Sequence, residues 1–505
     1  VQQQLLADLA ANDEVRHIEE YVAPMIHNSI ALNIMRADVT HTSAQLEGAG
    51  QVVAVCDTGF DEGSTTSVHP AFGNRVLKLY ALGRKTASDP HGHGTHVAGS
   101  VLGDGHSNTM GGQIRGAAPR GSLVLQSVLD AQGGLGGLPD DLNDLFLIPY
   151  RDNGARVHTN SWGSPVFGRY TQSSFEVDEF VWNHRDYVIC FSAGNEGADV
   201  DANGVVDVRS VGSPGTAKNC ITVGASESNR PFISKQYGQA WPMDFPVDPL
   251  SSDRWADNPD GMAAFSSRGP TRNGRIKPDV VAPGTAILSA HSRKAHVGSF
   301  WGTSSDPLYC FMGGTSMATP LVAGCAAVVR EYFQSRRSHQ PSAALVKALL
   351  INGARDISGQ YVPSEAEAIP NLSEGFGRVD LAATVGPFGQ NERVDFKEEN
   401  TALDTGEEER TVVRVNASGA LLKVTLVWTD PPGEELQNDL DLIVRAPGGQ
   451  ERHGNMPSLS TGFDRKNNVE QVVWTDVPVG DIEILVRAHD ISLHLQSYAL
   501  VVRIS

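Results

Sequence analysis

The chain has 505 residues, with 40 Lys plus Arg against 59 Asp plus Glu, for a formal net charge of −19. Hydrophobic residues make up 40% and charged residues 20%, a composition able to fill a core and unlike that of a disordered chain. The acidic balance argues against nucleic acid and anionic membranes as partners and suits bound cations.

In chain order, residues 1–27 read as a helix and then a charged strand ended by Pro24, an N-terminal extension separate from the rest of the chain. From Gln51 the texture becomes that of a parallel α/β domain. Short continuous apolar runs recur at Val52–Cys56, Ser122–Gln126, Tyr187–Phe191, Cys220–Val223 and Val280–Ala282. Helical stretches fall between them, at Thr171–His184 and Met317–Arg330. Buried parallel strands alternating with helices place an active site beyond the carboxyl ends of the strands. After Val385 helices give way to short strands: Thr411–Val415, Leu421–Trp428, Leu440–Arg445, Val469–Trp474, Ile482–Arg487 and Tyr498–Ile504. These predict an all-β sandwich of about 120 residues. The expected units are therefore 1–27, 28–385 and 386–505.

No apolar run reaches the roughly 18–20 residues of a membrane span. The first residues lack the order of a signal peptide, so the protein is expected either in the cytosol or with a signal upstream of Val1. The five cysteines are too few and scattered for a disulfide scaffold, and the absence of a C-x-x-C pair disfavours a cysteine zinc site.

Three polar residues occupy distinctive local settings. Asp57 ends a buried strand in Val53-Ala-Val-Cys-Asp-Thr-Gly59. His93 opens His93-Gly-Thr-His-Val-Ala-Gly99, where glycine gives way to small apolar residues as at a helix start. Ser316 lies in Gly314-Thr-Ser-Met-Ala-Thr-Pro320, a glycine loop leading into a helix. A hydroxyl is a poor nucleophile near neutral pH, so it needs a base, and the base needs a carboxylate to fix its tautomer. A helix N-terminus adds a field that favours developing negative charge.

These signatures, in the order Asp, His, Ser, resemble those of the subtilisin-like serine proteases, the subtilases. Ser192-Ala-Gly-Asn-Glu-Gly197 and Asn160-Ser-Trp-Gly-Ser164 match as well. The likeness spans residues 28–385. With Asn438-Asp-Leu-Asp-Leu442 and Arg465-Lys-Asn-Asn-Val-Glu470 it points to the oxidatively stable alkaline branch, which carries a C-terminal jelly-roll sandwich. The resemblance implies a subtilisin-like parallel sheet flanked by helices, followed by an all-β jelly-roll-like domain. It implies that Ser316 is the nucleophile, His93 the base and Asp57 its orienting carboxylate, with Asn195 and the Ser316 N–H holding the oxyanion. It further implies that Ser161, Trp162 and Gly163 pair with substrate backbone and that Ala193 and Gly194 wall the acyl-side pocket. Residues 1–27 resemble the end of a subtilase propeptide; the plain alternative is an ordinary extension.

Other features have structural readings beside chemical ones. His91, His93 and His96 form H-x-H-x-x-H, but the first two are expected to diverge at the loop-to-helix junction, and His96 to be buried and hydrogen-bonded within its helix. Cys56 and Met317 read as packing residues. The stretch Gln239–Asp260, rich in Trp, Pro and Asp, either borders the cleft or caps the surface.

Asp199-Val-Asp-Ala-Asn-Gly-Val-Val-Asp207 places oxygens at alternate positions around a glycine, a pattern that suits Ca²⁺. The expected ligands are Asp199, Asp201, Asn203, the Val205 carbonyl and Asp207; a solvated acidic turn is the alternative. Asp439, Asp441, Asp464 and Asn467 form a second candidate set, against cross-strand and turn hydrogen bonding. The resulting expectation is a secreted, monomeric, calcium-stabilised serine endopeptidase that acts on proteins or peptides through an acyl-enzyme, without an organic cofactor. The rival is a catalytically silent binding protein on the same fold with an adhesion-type sandwich.

Overall fold

The computed structural model describes residues 29–357 and 368–505, so the expected extension 1–27 lies outside the described residues. Its first unit is built on strands β1 (Val52–Asp57), β2 (Val76–Ala81), β5 (Ser122–Ser127), β6 (Val157–Asn160), β7 (Val188–Ser192), β8 (Ile221–Ser226) and β9 (Val280–Pro283), which form one seven-stranded sheet. Its order is β2-β5-β1-β6-β7-β8-β9, with every pairing parallel. Two hairpins lie outside it: β3 (Asp104–Ser107) with β4 (Gly112–Arg115), and β10 (Ile287–Ala290) with β11 (Tyr309–Met312). The anticipated apolar runs are β1, β5, β7, β8 and β9.

Two strands of the sheet, β6 and β2, lie outside the anticipated runs. β6 reads Val-His-Thr-Asn yet is buried throughout. Part of its polar content is met internally: His158 Nε2 bonds Gln126 Oε1 at 3.0 Å, and Asn160 Nδ2 donates to Cys190 O at 3.3 Å, while Thr159 Oγ1 is buried without a hydrogen-bond partner. β2 is an edge strand, apolar at every position except Lys78 but buried only at Val76.

The helix Thr315–Tyr332 packs against β6, β7 and β8 and is buried on nearly all sides. Its Ala, Val and Gly content, without a polar face, is that of a helix enclosed by neighbours. Pro320 lacks the N–H that would bond the Ser316 carbonyl four residues back. The Ser161 hydroxyl donates to that carbonyl instead, at 2.9 Å. The helix His93–Leu102 packs alongside, so each of the two helices carries a candidate catalytic residue in its first turn.

The C-terminal unit has two antiparallel four-stranded sheets. The first contains β12 (Arg393–Leu403), β14 (Leu422–Val427), β17 (Val469–Trp474) and β19 (Gln496–Ile504), in the order β12-β19-β14-β17. The second contains β13 (Glu408–Val415), β15 (Asn438–Arg445), β16 (Glu451–His453) and β18 (Gly480–Ile491), in the order β13-β18-β15-β16. Leu422, Val424 and Leu426 alternate inward along β14 and meet Leu440, Leu442 and Val444 of β15 in one core.

β14 is buried on its other face too, because that face docks on the helix Ala343–Gly353. There Lys423 Nζ donates to Ala354 O at 2.8 Å, and Asn352 Nδ2 to Thr425 Oγ1 at 3.1 Å. Val427, Val469, Ala499 and Val501 join the core of the first unit. The sandwich is thus seated on the parallel-sheet domain through a packed face.

Candidate active site

β1, β6 and β7 are adjacent, and the site grows from their carboxyl ends. Asp57 is the last residue of β1 and is buried. Its Oδ1 accepts from the Thr58 N–H at 2.8 Å and faces His93 Nδ1 at 2.7 Å. That contact places the Nδ1 proton toward the carboxylate and leaves Nε2 for the cleft. Burial lowers the His93 pKa, but the charge and hydrogen bond of Asp57, helped by the charge of Asp89, raise it above the ordinary value.

Asp89, fully buried, organises the approach to His93. One of its oxygens accepts from the Gly92 N–H at 2.8 Å and the Thr58 hydroxyl at 2.9 Å. The other accepts from the N–H and hydroxyl of Thr95. The Thr58 hydroxyl also receives the Gly94 N–H at 2.9 Å. The strand end that carries Asp57 is therefore tied to the helix start that carries His93. Gly94 must lack a side chain, because a Cβ there would stand 2.3 Å from Gly59 O.

The Ser316 hydroxyl donates to the Ser161 carbonyl at 3.1 Å. Just after β7, Asn195 Oδ1 accepts from the Thr315 N–H at 2.9 Å and the Thr315 hydroxyl at 3.1 Å. Only an oxygen can accept from an N–H, so the Asn195 amide nitrogen is turned the other way.

The proposed acyl-side residues fall into two groups. Gly163 and Ser164 are exposed, and Ser164 is fixed by a bridge to Ser213. The Trp162 ring is held back, with Nε1 donating to Cys56 O at 3.2 Å and the indole edge-on to Phe191. Ala193 is fully buried and bonded on both sides, to Val223 and Gly212. Gly194 adopts φ +111, and a Cβ on it would meet Glu196 Oε2 at 2.3 Å.

Two histidine expectations change. His91 and His93 lie ring against ring at 6.0 Å rather than diverging. His96 is buried, but its Nε2 bonds Ile287 O on β10 at 2.9 Å, outside its own helix. Cys56 and Met317 are buried, and all five cysteines are free.

In the loop 199–207, Asp199 is fully buried and accepts from the Asn203 and Gly204 N–H groups at 2.8 Å each. Gly204 takes φ +83, as the sharp turn requires. Asn203 contacts Asp201 at 3.0 Å, and Asp207 accepts from the Val200 N–H at 2.8 Å. The backbone is already closed around Asp199, and the donors are all oxygens, which fits a hard cation. Among the described residues, no three His, Cys, Asp or Glu side chains are gathered into a metal-holding group.

The second candidate set lies beside an arginine. The Arg465 guanidinium pairs with Asp441 and lies 3.2 Å from Asp439. Asp464 accepts from the side-chain amides of Asn455 and Asn467 at 2.7 Å each, and Asn467 Oδ1 accepts from the Ile276 N–H at 2.8 Å. Arg465 and the turn amides answer part of this charge, while Asp439 Oδ1 and Oε1 of the neighbouring Glu470 are buried without a hydrogen-bond partner.

Asp89 carries no mark in the sequence, although it lies four residues before the His93 motif, and Thr315 stands inside the Ser316 motif without a role assigned to it. A further recess, of ≈ 180 Å³, adjoins Asn195 and Gly314. Trp241 and Phe245 line it, so part of the Gln239–Asp260 stretch borders the cleft.

These strand ends and helix starts define a protein of the serine-hydrolase kind. The subtilase family model matches residues 48–377, and the chain belongs to that family of serine proteases. It is 32% identical to the serine protease AprX of Bacillus subtilis, over 63% of this chain and 64% of that protein. It is 28% identical to subtilisin BL of Lederbergia lenta, over 57% of this chain and 78% of that protein. The serine protease/ABC transporter B family protein tagA of Dictyostelium discoideum is 26% identical over 91% of this chain. There the match spans only 30% of the relative's length. Among the described residues, no helix is long and apolar enough to cross a membrane.

Proposed function

We propose that the chain is a secreted serine endopeptidase that cleaves proteins or peptides through an acyl-enzyme on Ser316. The observation that carries this reading is the 2.7 Å contact of His93 Nδ1 with Asp57, with His93 on a helix that packs against the one whose first turn holds Ser316. Rotation about the Ser316 Cα–Cβ bond moves its hydroxyl from Ser161 O toward His93 Nε2. His93 takes the proton as Oγ attacks the substrate carbonyl, and Asp57 stabilises the imidazolium. Asn195 Nδ2 and the Ser316 N–H donate to the oxyanion. His93 then returns the proton to the leaving amine, and water releases the acyl group by the same route. Ser161–Gly163 and the Ala193–Gly194 wall hold the acyl side of the substrate.

Calcium at the loop 199–207 belongs to the same proposal. The ion would draw in Asp201, Asn203, the Val205 carbonyl and Asp207 around Asp199 and stiffen the chain just beyond Asn195. A loop of this openness suits the millimolar calcium found outside cells. The expected unit of action is a monomer.

The test is pre-steady-state hydrolysis of an activated peptide ester with calcium present. A burst of one equivalent per enzyme, followed by slower turnover, supports the acyl-enzyme. Linear release that is unchanged in Ser316→Ala overturns it.

A further inference from the structure

The recess beside Asn195 shares no residue with the Ser161–Ser164 or Ala193–Gly194 segments. It is bounded by Asn195 on one side and Gly313 and Gly314, just before the nucleophile, on the other. If the acyl part of a substrate lies along Ser161–Gly163, a recess that borders Asn195 and the nucleophile loop without those residues is left for the leaving group.

Its walls are the rings of Trp241, Phe245, Phe265 and Trp301. Trp241, Phe265 and Trp301 form a triangle with centroid separations of 5.8, 5.9 and 6.0 Å. Trp255, fully buried, backs Trp241 at 5.5 Å and Trp301 at 5.1 Å, so the wall is braced from behind. Trp301 lies directly over Gly313, where a Cβ would meet its ring at 2.6 Å. The glycine therefore lets an indole lie against the nucleophile loop. Phe300, 41% exposed, extends the aromatic surface outward. The exposed carboxylate of Asp244 stands at the rim.

We propose that this recess selects a large apolar side chain, aromatic or branched aliphatic, on one of the first two residues of the leaving group. The inference rests on the protease reading above. Rigid aromatic walls reward apolar area removed from water, and braced rings lose little freedom on binding. Asp244 stands at the rim and Lys235 Nζ lies 4.5 Å from the Phe300 ring, so it is the apolar walls that disfavour an acidic residue at the same place. The binding energy is available only when the leaving group is a peptide, so it bears on acylation and not on the release of the acyl group.

The test uses internally quenched peptides with one fixed acyl sequence. The first and second residues after the scissile bond are varied among Phe, Leu, Gly, Asp and Arg. A p-nitroanilide of the same acyl sequence, which has no leaving-group residues, is run beside them. The expected result in the wild type is kcat/KM on the order of 10- to 100-fold higher for Phe or Leu than for Gly at one of the two positions, with Asp the poorest. In Trp241→Ala the ratio between Phe and Gly peptides falls toward unity. Because the wild-type ratio is read without any variant, poor folding of Trp241→Ala does not remove the test. Equal cleavage of all peptides, or preference for Gly, Asp or Arg, overturns the pocket while anilide hydrolysis keeps the protease reading intact. Failure to hydrolyse both anilide and peptides overturns both.

Discussion

The Thr315 N–H donates to Asn195 Oδ1 at 2.9 Å, so the residue before the nucleophile decides which end of the Asn195 amide faces the cleft. The Thr315 hydroxyl repeats the contact at 3.1 Å. Asn195→Ala is expected to lower kcat by about 10²- to 10³-fold with little change in KM, the size of this effect in subtilisin. Asn195→Asp should lose as much, because a carboxylate has no N–H to donate. Steady-state kinetics on both variants, with circular dichroism as a folding control, checks this.

The acid limb of the pH profile should report His93. Burial pulls its pKa down, and the charge and hydrogen bond of Asp57, with the charge of Asp89, raise the net value above 6.5. Catalysis needs the neutral imidazole, so kcat/KM should fall as pH drops through a midpoint above 6.5. The stability contribution of the same group runs the other way. It is fully present below the unfolded pKa and lost as pH rises through the raised folded value. Asp89→Asn removes one of the raising charges, so its acid limb should move to lower pH. It should also lower activity, because it loosens the tie among Thr58, Gly92 and Thr95. A kinetic profile from mildly acidic to mildly alkaline pH reads both effects.

The seat of the sandwich is stabilised by an ion pair between Lys218 and Asp430, both fully buried. Lys218 Nζ also donates to the carbonyls of Pro431 and Glu435 at 2.9 Å each. Removing one partner strands the other charge in the interior. Asp430→Ala is expected to cost about 3–5 kcal/mol in chemical denaturation, far more than loss of a surface pair such as Arg414 with Asp481.

Calcium should raise the melting temperature of the wild type in a concentration-dependent way, and excess chelator should lower it. Asp201→Asn with Asp207→Asn should abolish the calcium-dependent part while leaving the calcium-free melting temperature close to that of the wild type. Asp199→Ala should destabilise the chain even without calcium, since Asp199 caps the Asn203 and Gly204 N–H groups from a buried position. Differential scanning calorimetry of the three proteins separates these outcomes.

How legible each element is in the sequence depends on how it is buried. β1 and β7 are enclosed on both faces and stand out as apolar runs, and β8, equally enclosed, is interrupted only by Thr222 before its small residues. β6 has the same burial but meets it with His158, Thr159 and Asn160, so only its hydrogen bonds, not its hydropathy, mark it as central. β12, at the edge of its sheet and rich in charge, escapes notice for the opposite reason. At the site, Asp57, His93, Asn195 and Ser316 lie in motifs whose glycines announce a tight backbone. Asp89, outside those motifs, and Thr315, inside the Ser316 motif, act through contacts between separate segments, and no local pattern encodes those contacts. The aspartates of the sandwich are not read from the sequence alone, because alternation in a strand looks the same whether an ion or the neighbouring Arg465 answers the charge.

The most direct test of a Ser316 nucleophile is intact-mass spectrometry after incubation with a fluorophosphonate in millimolar Ca²⁺, for the wild type and Ser316→Ala. The expected result is one adduct on the wild type, mapped to Ser316 and absent from the variant. A folded wild type that stays unlabelled, or an adduct that persists in Ser316→Ala, would contradict it.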